Sequence, residues 1–303
     1  MSLTFEQDYK KKNNMKIING KLIAARFNKI LKVKIDKLKK KHNIDLKLVV
    51  ILIGDNPASK VYVKNKSIKA EELGIISVVK NLDAEVTEKE LLELISSYNN
   101  DTSIDGILLQ LPIPNHINKE KVIDKISVEK DVDGFNSKNI GLLALGRPQV
   151  VPCTPLGCLK LLKTETSLSG KNVIIIGRSN IVGRPLSFLL TNENSTVTLA
   201  HSKTKNLQDL CKDKDIIIAA TGIPKMISKD WVNEKSIIID VGINQVLNKD
   251  KKKILVGDVD FQKILPKVKA VTPVPGGVGP MTIHCLLQNT FDLALKRRKL
   301  KLV

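Results

Sequence analysis

The chain has 303 residues, with 50 Lys and Arg against 31 Asp and Glu, a net charge of +19 and only 3% aromatic residues. That length accommodates two domains of ordinary size, and its longest apolar stretches, such as Leu48–Ile53, fall far below the roughly 18 residues of a membrane-spanning helix. Only six of the basic residues are arginine, so the guanidinium forks and stacked rings that read bases are scarce, and lysine-rich solvated faces are expected instead of specific nucleic-acid binding.

The lysines are scattered along 10–41, 119–138 and 249–253, a distribution compatible with attraction for small anions. Cys153, Cys158, Cys211 and Cys285 form no C-x-x-C pair. Neither a metal site nor a disulfide framework is expected, and a reducing, cytoplasmic location fits.

The opening MSLTFEQDYKKKNN (1–14) is polar and aperiodic and reads as a loose tail, with regular structure starting near Met15. It lacks a signal peptide's apolar core, and its acids without arginine disfavour a transit peptide. LKLVVILIG (46–54) reads as a strand. The next segment reads as a helix with Asn56 as N-cap, Pro57 in the first turn and Gly74 at the stop. IISVVKNL and DGILLQLP repeat the strand signal around a helical TEKELLELISSYNN.

A second series follows Pro152: NVIIIG, a helix from Val182 to Leu190, STVTLA, a short helix near Leu207, DIIIAATG, SIIIDVG and KAVTPVPGG. MTIHCLLQNTFDLALKRRKL then reads as an amphipathic helix. Short apolar strands alternating with helices predict an α/β protein with parallel sheets and right-handed crossovers. Composition changes over 140–155, so the expected domains are 15–150, joined by the terminal helix 281–303, and 151–280.

Within IIIGRSNIVGRP, glycines 177 and 183 have five residues between them. The dinucleotide fingerprint would need glycine where Ser179 stands, and a P-loop would need Lys where Arg184 stands. The position is nevertheless that of a dinucleotide turn, closing a strand and opening a helix. STVTLA leads to His201, Ser202 and Lys203 instead of the Asp or Glu that an NAD enzyme offers its ribose. With Arg178 in the turn, this suits a 2′-phosphate, so NADP is preferred to NAD and the second domain reads as Rossmann-like. The plainer alternative is a tight turn with an incidental arginine.

In the first domain, Tyr62 and Lys66 stand four apart on one helical face. Gln110 ends a buried strand, and Asp133 precedes Gly134 in EKDVDGF. Singly, each has a dull explanation: amphipathic filler, a surface lysine, loop polars. TPVPGGVGPMT is either a rigid loop or a backbone that a flat ring can approach closely. His284, alone on its helix, reads as structural, whereas His201 is placed to shape the cofactor pocket.

The stretches GDNPASKVYVKNK, GILLQLPIP, EKDVDGFN, PCTPLGC, GRSNIVGRP, AHSKT, ATGIP, IIIDVGIN, GDVD and TPVPGGVGPMT, in this order and spacing, resemble the bifunctional methylenetetrahydrofolate dehydrogenase/methenyltetrahydrofolate cyclohydrolase family. The likeness runs from Met15 to the terminal helix. It implies one cleft between the domains that oxidises 5,10-methylenetetrahydrofolate with NADP and hydrolyses the methenyl product to 10-formyltetrahydrofolate. Tyr62 would stack on the folate, Lys66 would be the key catalytic residue, Gln110 would support it and Asp133 would bind the pterin. Gly177, Arg178 and Ser179 would bind NADP, with Ser202 at the 2′-phosphate and Ile243 near the nicotinamide. Pro275, Gly276 and Gly277 would shape the wall where folate and nicotinamide meet.

Hydride transfer is then mainly a matter of positioning. Hydrolysis needs a proton acceptor, a task for a lysine in its neutral form. The family also implies a homodimer through the second domain, and the surplus lysines suit polyglutamate tails on the folate. Two alternatives stand beside this: a dehydrogenase without the hydrolytic step, disfavoured by Lys66 and the missing acid after STVTLA, and a nucleotide-dependent RNA-binding protein, motivated by charge alone.

Overall fold

In the computed structural model, which describes residues 17–248 and 250–300, the apolar run at 46–53 becomes a central strand. The tail read over 1–14 and the start of structure at Met15 lie outside the described residues, as does Lys249. Contacts divide the chain into two units. One comprises 24–156 with 282–300, and the other comprises 157–281 with the segment through Ile23.

In the first unit, β1 (Leu46–Ile53) lies between β2 (Ile75–Leu82) and β3 (Gly106–Leu109) in a parallel sheet. Successive strand residues face opposite ways, and here both faces are covered. Leu46, Leu48, Val50 and Leu52 pack with Leu31, Ile35 and Leu38 of α1 (Gly20–His42) and with Val63 and Leu73 of α2 (Pro57–Leu73). Val49, Ile51 and Ile53 pack with Leu91 and Ile95 of α3 (Glu88–Asn100) and Val122 of α4 (Lys119–Lys125). Two-sided burial explains why the sequence shows an unbroken apolar run instead of alternation.

Local signals set the helix limits. The Asn56 side chain accepts from Ser59 N, and Gly74 takes the left-handed conformation at φ 86° that stops α2. Thr87 and Glu90 form a reciprocal capping box on α3. Helices α5 (Ser137–Ala144) and α6 (Cys153–Lys163) follow.

The second unit is built on a five-stranded parallel sheet in the order β10-β7-β6-β4-β5. Its strands are β4 (Asn172–Ile176), β5 (Thr196–Ala200), β6 (Ile216–Ala219), β7 (Ile237–Asp240) and β10 (Ala270–Val271). Helices α7 (Gly183–Asn192), α8 (Leu207–Lys212) and α9 (Phe261–Ile264) connect them, and an antiparallel hairpin, β8 (Asn244–Leu247) with β9 (Lys253–Val256), follows β7. Ile174, Ile176, Ile217 and Ile238 centre its core.

The terminal helix α10 (Val278–Arg297) packs Leu286, Leu287 and Phe291 into the first unit's core. Asp105, fully buried, receives Arg297 at 2.6 Å and Arg298 at 2.7 Å. His284 is buried, stacks on Phe27 at 5.2 Å and shares a hydrogen bond with Asn28 at 2.8 Å, a structural role. No described helix is long and apolar enough to cross a membrane.

Candidate active site

Helix α2 presents Tyr62 and Lys66, both half-buried, from one face. Lys66 Nζ donates to Gln110 Oε1 at 3.0 Å. Gln110 sits just past the end of β3, its N–H on Ile51 O at 2.9 Å and its Nε2 donating to Leu111 O at 2.7 Å. The amide is thus fixed at both ends and oriented by the backbone. Burial raises the Tyr62 phenol above its ordinary range, keeping it a neutral hydroxyl.

Asp133 completes the group. Burial pushes its carboxyl up, while the nearby Lys66 charge and a hydrogen bond from Cys153 pull it back. It is presented by a loop folded around a neighbour that sequence reading missed. Asp131 accepts from Gly134 N at 3.0 Å, Phe135 N at 3.3 Å, Asn136 N at 2.9 Å and Asn139 Nδ2 at 2.8 Å. Burial still dominates and raises Asp131 to about 6. Two aspartates spaced two apart were the available signal; which one turns inward is decided by the loop. A small cavity beside them is lined by Leu109, Leu111, Ile123 and Phe135, an apolar wall with carboxylates at its edge.

Cys153, in the stretch PCTPLGC, is buried beside Asp133 with its Sγ 3.3 Å from Val132 O. Burial and the neighbouring carboxylate hold its thiol well above the usual range, so it is an inert S–H donor and no nucleophile.

In the second unit, Gly177 has φ +127°, and a Cβ there would overlap Ala220 O, while one on Gly183 would overlap Gly177 O. The two glycines bring the first turn of α7 onto the end of β4, which is why five residues separate them. Ser179 Oγ accepts from Val182 N at 3.1 Å, folding the turn and leaving its hydroxyl hydrogen free to donate.

The turn fits a dinucleotide phosphate. It is exposed at Arg178–Ile181, and the N–H groups of those four residues donate to no acceptor among the described residues. The register pairing Ile176 with Ala200 brings residues 177–179 and 201–203 to the same sheet edge. There Ser202 and Lys203 are exposed and His201 half-buried, with no carboxylate in the turn. Ile243 lies beyond β7, 46% exposed. Pro275 is exposed, and Gly276 O accepts from Lys21 N at 3.0 Å, which ties that loop to the start of α1. No group of three or more His, Cys, Asp or Glu placed to hold a metal occurs among the described residues.

A doubly wound parallel sheet with an amide-lined, cation-rimmed turn at its strand ends defines a dinucleotide-binding protein, here coupled to an α/β unit bearing a lysine, amide and carboxylate cluster. The chain belongs to the tetrahydrofolate dehydrogenase/cyclohydrolase family: it matches the family's catalytic domain over residues 18–133 and its NAD(P)-binding domain over residues 152–298. It is 51% identical over 285 residues to the bifunctional protein FolD of Wolbachia sp. subsp. Brugia malayi, covering 93% of this chain and 96% of that one. Among solved structures, the Campylobacter jejuni bifunctional FolD dehydrogenase/cyclohydrolase is similar at TM-score 0.88 and 47% identity, covering 93% and 99% of the two chains. The Trypanosoma brucei enzyme, complexed with NADP and an inhibitor, is similar at TM-score 0.90 and 33% identity, covering 93% and 98%.

Proposed function

We propose that this chain oxidises 5,10-methylenetetrahydrofolate to the 5,10-methenyl form with NADP and hydrolyses that product to 10-formyltetrahydrofolate. The observation that carries the reading is Lys66 Nζ held on Gln110 Oε1 at 3.0 Å beside Asp133, in a chain that also bears a dinucleotide turn. NADP, when bound, supplies the hydride acceptor. Gly177, Arg178 and Ser179 hold its phosphates, Ser202 meets the 2′-phosphate and Ile243 flanks the nicotinamide.

Tyr62 offers its ring to the folate, Asp133 accepts from the pterin's N–H donors, and Pro275, Gly276 and Gly277 offer backbone with little side-chain obstruction. In hydrolysis a water oxygen bonds to the methenyl carbon and one of its protons leaves toward Lys66; the bond from that carbon to N5 then breaks as the remaining hydroxyl proton passes to N5, leaving the formyl group on N10. A neutral amine that donates one N–H to Gln110 keeps its lone pair for that proton. Gln110 orients the amine through a neutral amide oxygen.

The reading extends to a cytoplasmic homodimer and to folates with polyglutamate tails, for which the lysine surplus supplies a complementary field. Cofactor choice is tested with Ser202→Glu, which sets a carboxylate against the 2′-phosphate. Wild-type enzyme should show the higher kcat/KM with NADP, and the variant should lose about tenfold or more of that preference. A wild-type preference for NAD would contradict the assignment of the ribose edge.

A further inference from the structure

We propose that Asp258 and Asp240 are positioning residues for the nicotinamide half of the cofactor, holding together the two loops that carry Ile223 and Ile243. The proposal rests on the NADP reading above and concerns the half of the sheet that the glycine turn does not reach. In the order β10-β7-β6-β4-β5, the turn and the ribose edge lie at the ends of β4 and β5. Chain order reverses at β4, which leaves the carboxyl ends of β6 and β7 for the other half of the dinucleotide. Beyond β6 stand Thr221, Gly222 and Ile223, and beyond β7 stand residues 241–244. Ile223 is 52% and Ile243 46% exposed, so each loop shows an isoleucine at this edge.

The carboxylates knit these loops from beneath. Asp258 Oδ2 accepts from Thr221 N at 2.6 Å and Gly222 N at 3.0 Å, and its Oδ1 accepts from Asn244 Nδ2 at 2.8 Å. Asp240 in turn fixes Asp258: it accepts from Asp258 N at 2.9 Å, Val259 N at 3.0 Å and Gly242 N at 3.0 Å. The two are packed reciprocally. A Cβ on Gly257 would overlap the Asp240 carboxylate, and one on Gly242 would overlap that of Asp258.

Asp258 is 0% and Asp240 2% exposed, and among the described residues neither has a cationic partner within ion-pair distance. Buried carboxylates neutralised only by N–H donors cost stability that apolar side chains of similar size would not. Burial and the Asp258 charge push Asp240 up to about 7, in keeping with that cost. What six aimed hydrogen bonds provide in return is loop geometry, the requirement of a site that must present one face of a flat ring for hydride transfer.

The test is calorimetric binding of NADP and, separately, of 2′,5′-ADP, which carries the adenosine half and no nicotinamide. Wild-type protein that binds neither would sink the NADP reading and this inference with it. If wild type binds both, Asp258→Ala should weaken NADP about tenfold or more while 2′,5′-ADP changes less than about twofold. Asp258→Asn, which keeps an oxygen acceptor for Thr221 and Gly222, should restore NADP to within about threefold of wild type. Should Asp258→Ala fail to fold, Asn244→Ala at the half-exposed rim removes one tie and should weaken NADP alone, by about threefold. Equal weakening of both ligands, or no change in NADP affinity, would overturn the proposal.

Discussion

Replacing Lys66 with methionine removes Nζ and keeps the apolar stem. In the structure the loss is local: Gln110 Oε1 loses its donor, but Gln110 N and Nε2 remain fixed to Ile51 O and Leu111 O. The site is half-exposed, so water can replace the missing donor, and the cost to stability should stay below about 1 kcal/mol. Asp133 loses the positive charge that opposes its burial, so its carboxyl moves further up. A positioned general base contributes about 10²–10⁴-fold to rate, equivalent to roughly 3–5 kcal/mol of barrier. Methenyltetrahydrofolate hydrolysis should therefore fall by about that factor, whereas oxidation, which needs no proton acceptor, should change by less than about tenfold. The assay supplies 5,10-methylenetetrahydrofolate and NADP and follows NADPH and the methenyl chromophore together; in the variant the two should rise in step. Lys66→Arg should not rescue hydrolysis, because arginine keeps the charge and cannot act as the base. Hydrolysis by Lys66→Met at the wild-type rate would remove Lys66 from the proton path.

Gln110→Leu should slow hydrolysis by about tenfold, the value of one half-buried hydrogen bond; an unchanged rate would show that Lys66 needs no orienting acceptor. Asp105→Ala strands two largely buried arginines, Arg297 and Arg298, and should cost about 3–5 kcal/mol in denaturant titrations. A variant as stable as wild type would mean that this cluster does not secure α10. Stability should also depend on pH in a particular sense. Burial raises Asp131 to about 6 and Asp240 to about 7, both above the ordinary 3.8. The folded state then binds these protons more tightly than the unfolded chain. Their contribution is fully present below pH ~4 and lost as pH rises through 6 and 7, on the order of a few kcal/mol in all. Urea titrations from pH 5 to pH 8 should show a decline that Asp240→Asn reduces; a flat profile in wild type would refute it.

Much of the architecture is written locally. Asn56, Pro57 and Gly74 delimit α2, and the two-sided burial of β1 is foreshadowed by its unbroken apolar run. Helix α1 is masked in the sequence by its lysines, which form its solvent face and give the look of scattered charge, with Leu31, Ile35 and Leu38 buried beneath. One residue of the second lysine group behaves differently: Lys130 is 3% exposed and caps α3 by donating to the carbonyls of Tyr98, Asn99 and Asp101. The β8–β9 hairpin was hidden by a polar, lysine-rich stretch whose alternation is weak.

For the site, helical spacing puts Tyr62 and Lys66 on one face, and the strand end places Gln110 at the carboxyl edge of the sheet, the edge where open α/β sheets take ligands. That the amide reaches Nζ depends on the β1–β3 register and the packing of α2, which no local pattern encodes. Asp240 and Asp258 were present in IIIDVGIN and GDVD, yet their link forms across the ends of separate strands and is visible only once the sheet is folded.

The most direct test that one chain performs both steps is the spectrophotometric assay of the purified wild-type protein with 5,10-methylenetetrahydrofolate, comparing NADP with NAD and following reduced cofactor and methenyl product. NADPH formation with little methenyl accumulation is the predicted result. Reduction of neither cofactor, or stoichiometric methenyl accumulation by the wild-type protein, would contradict the bifunctional assignment.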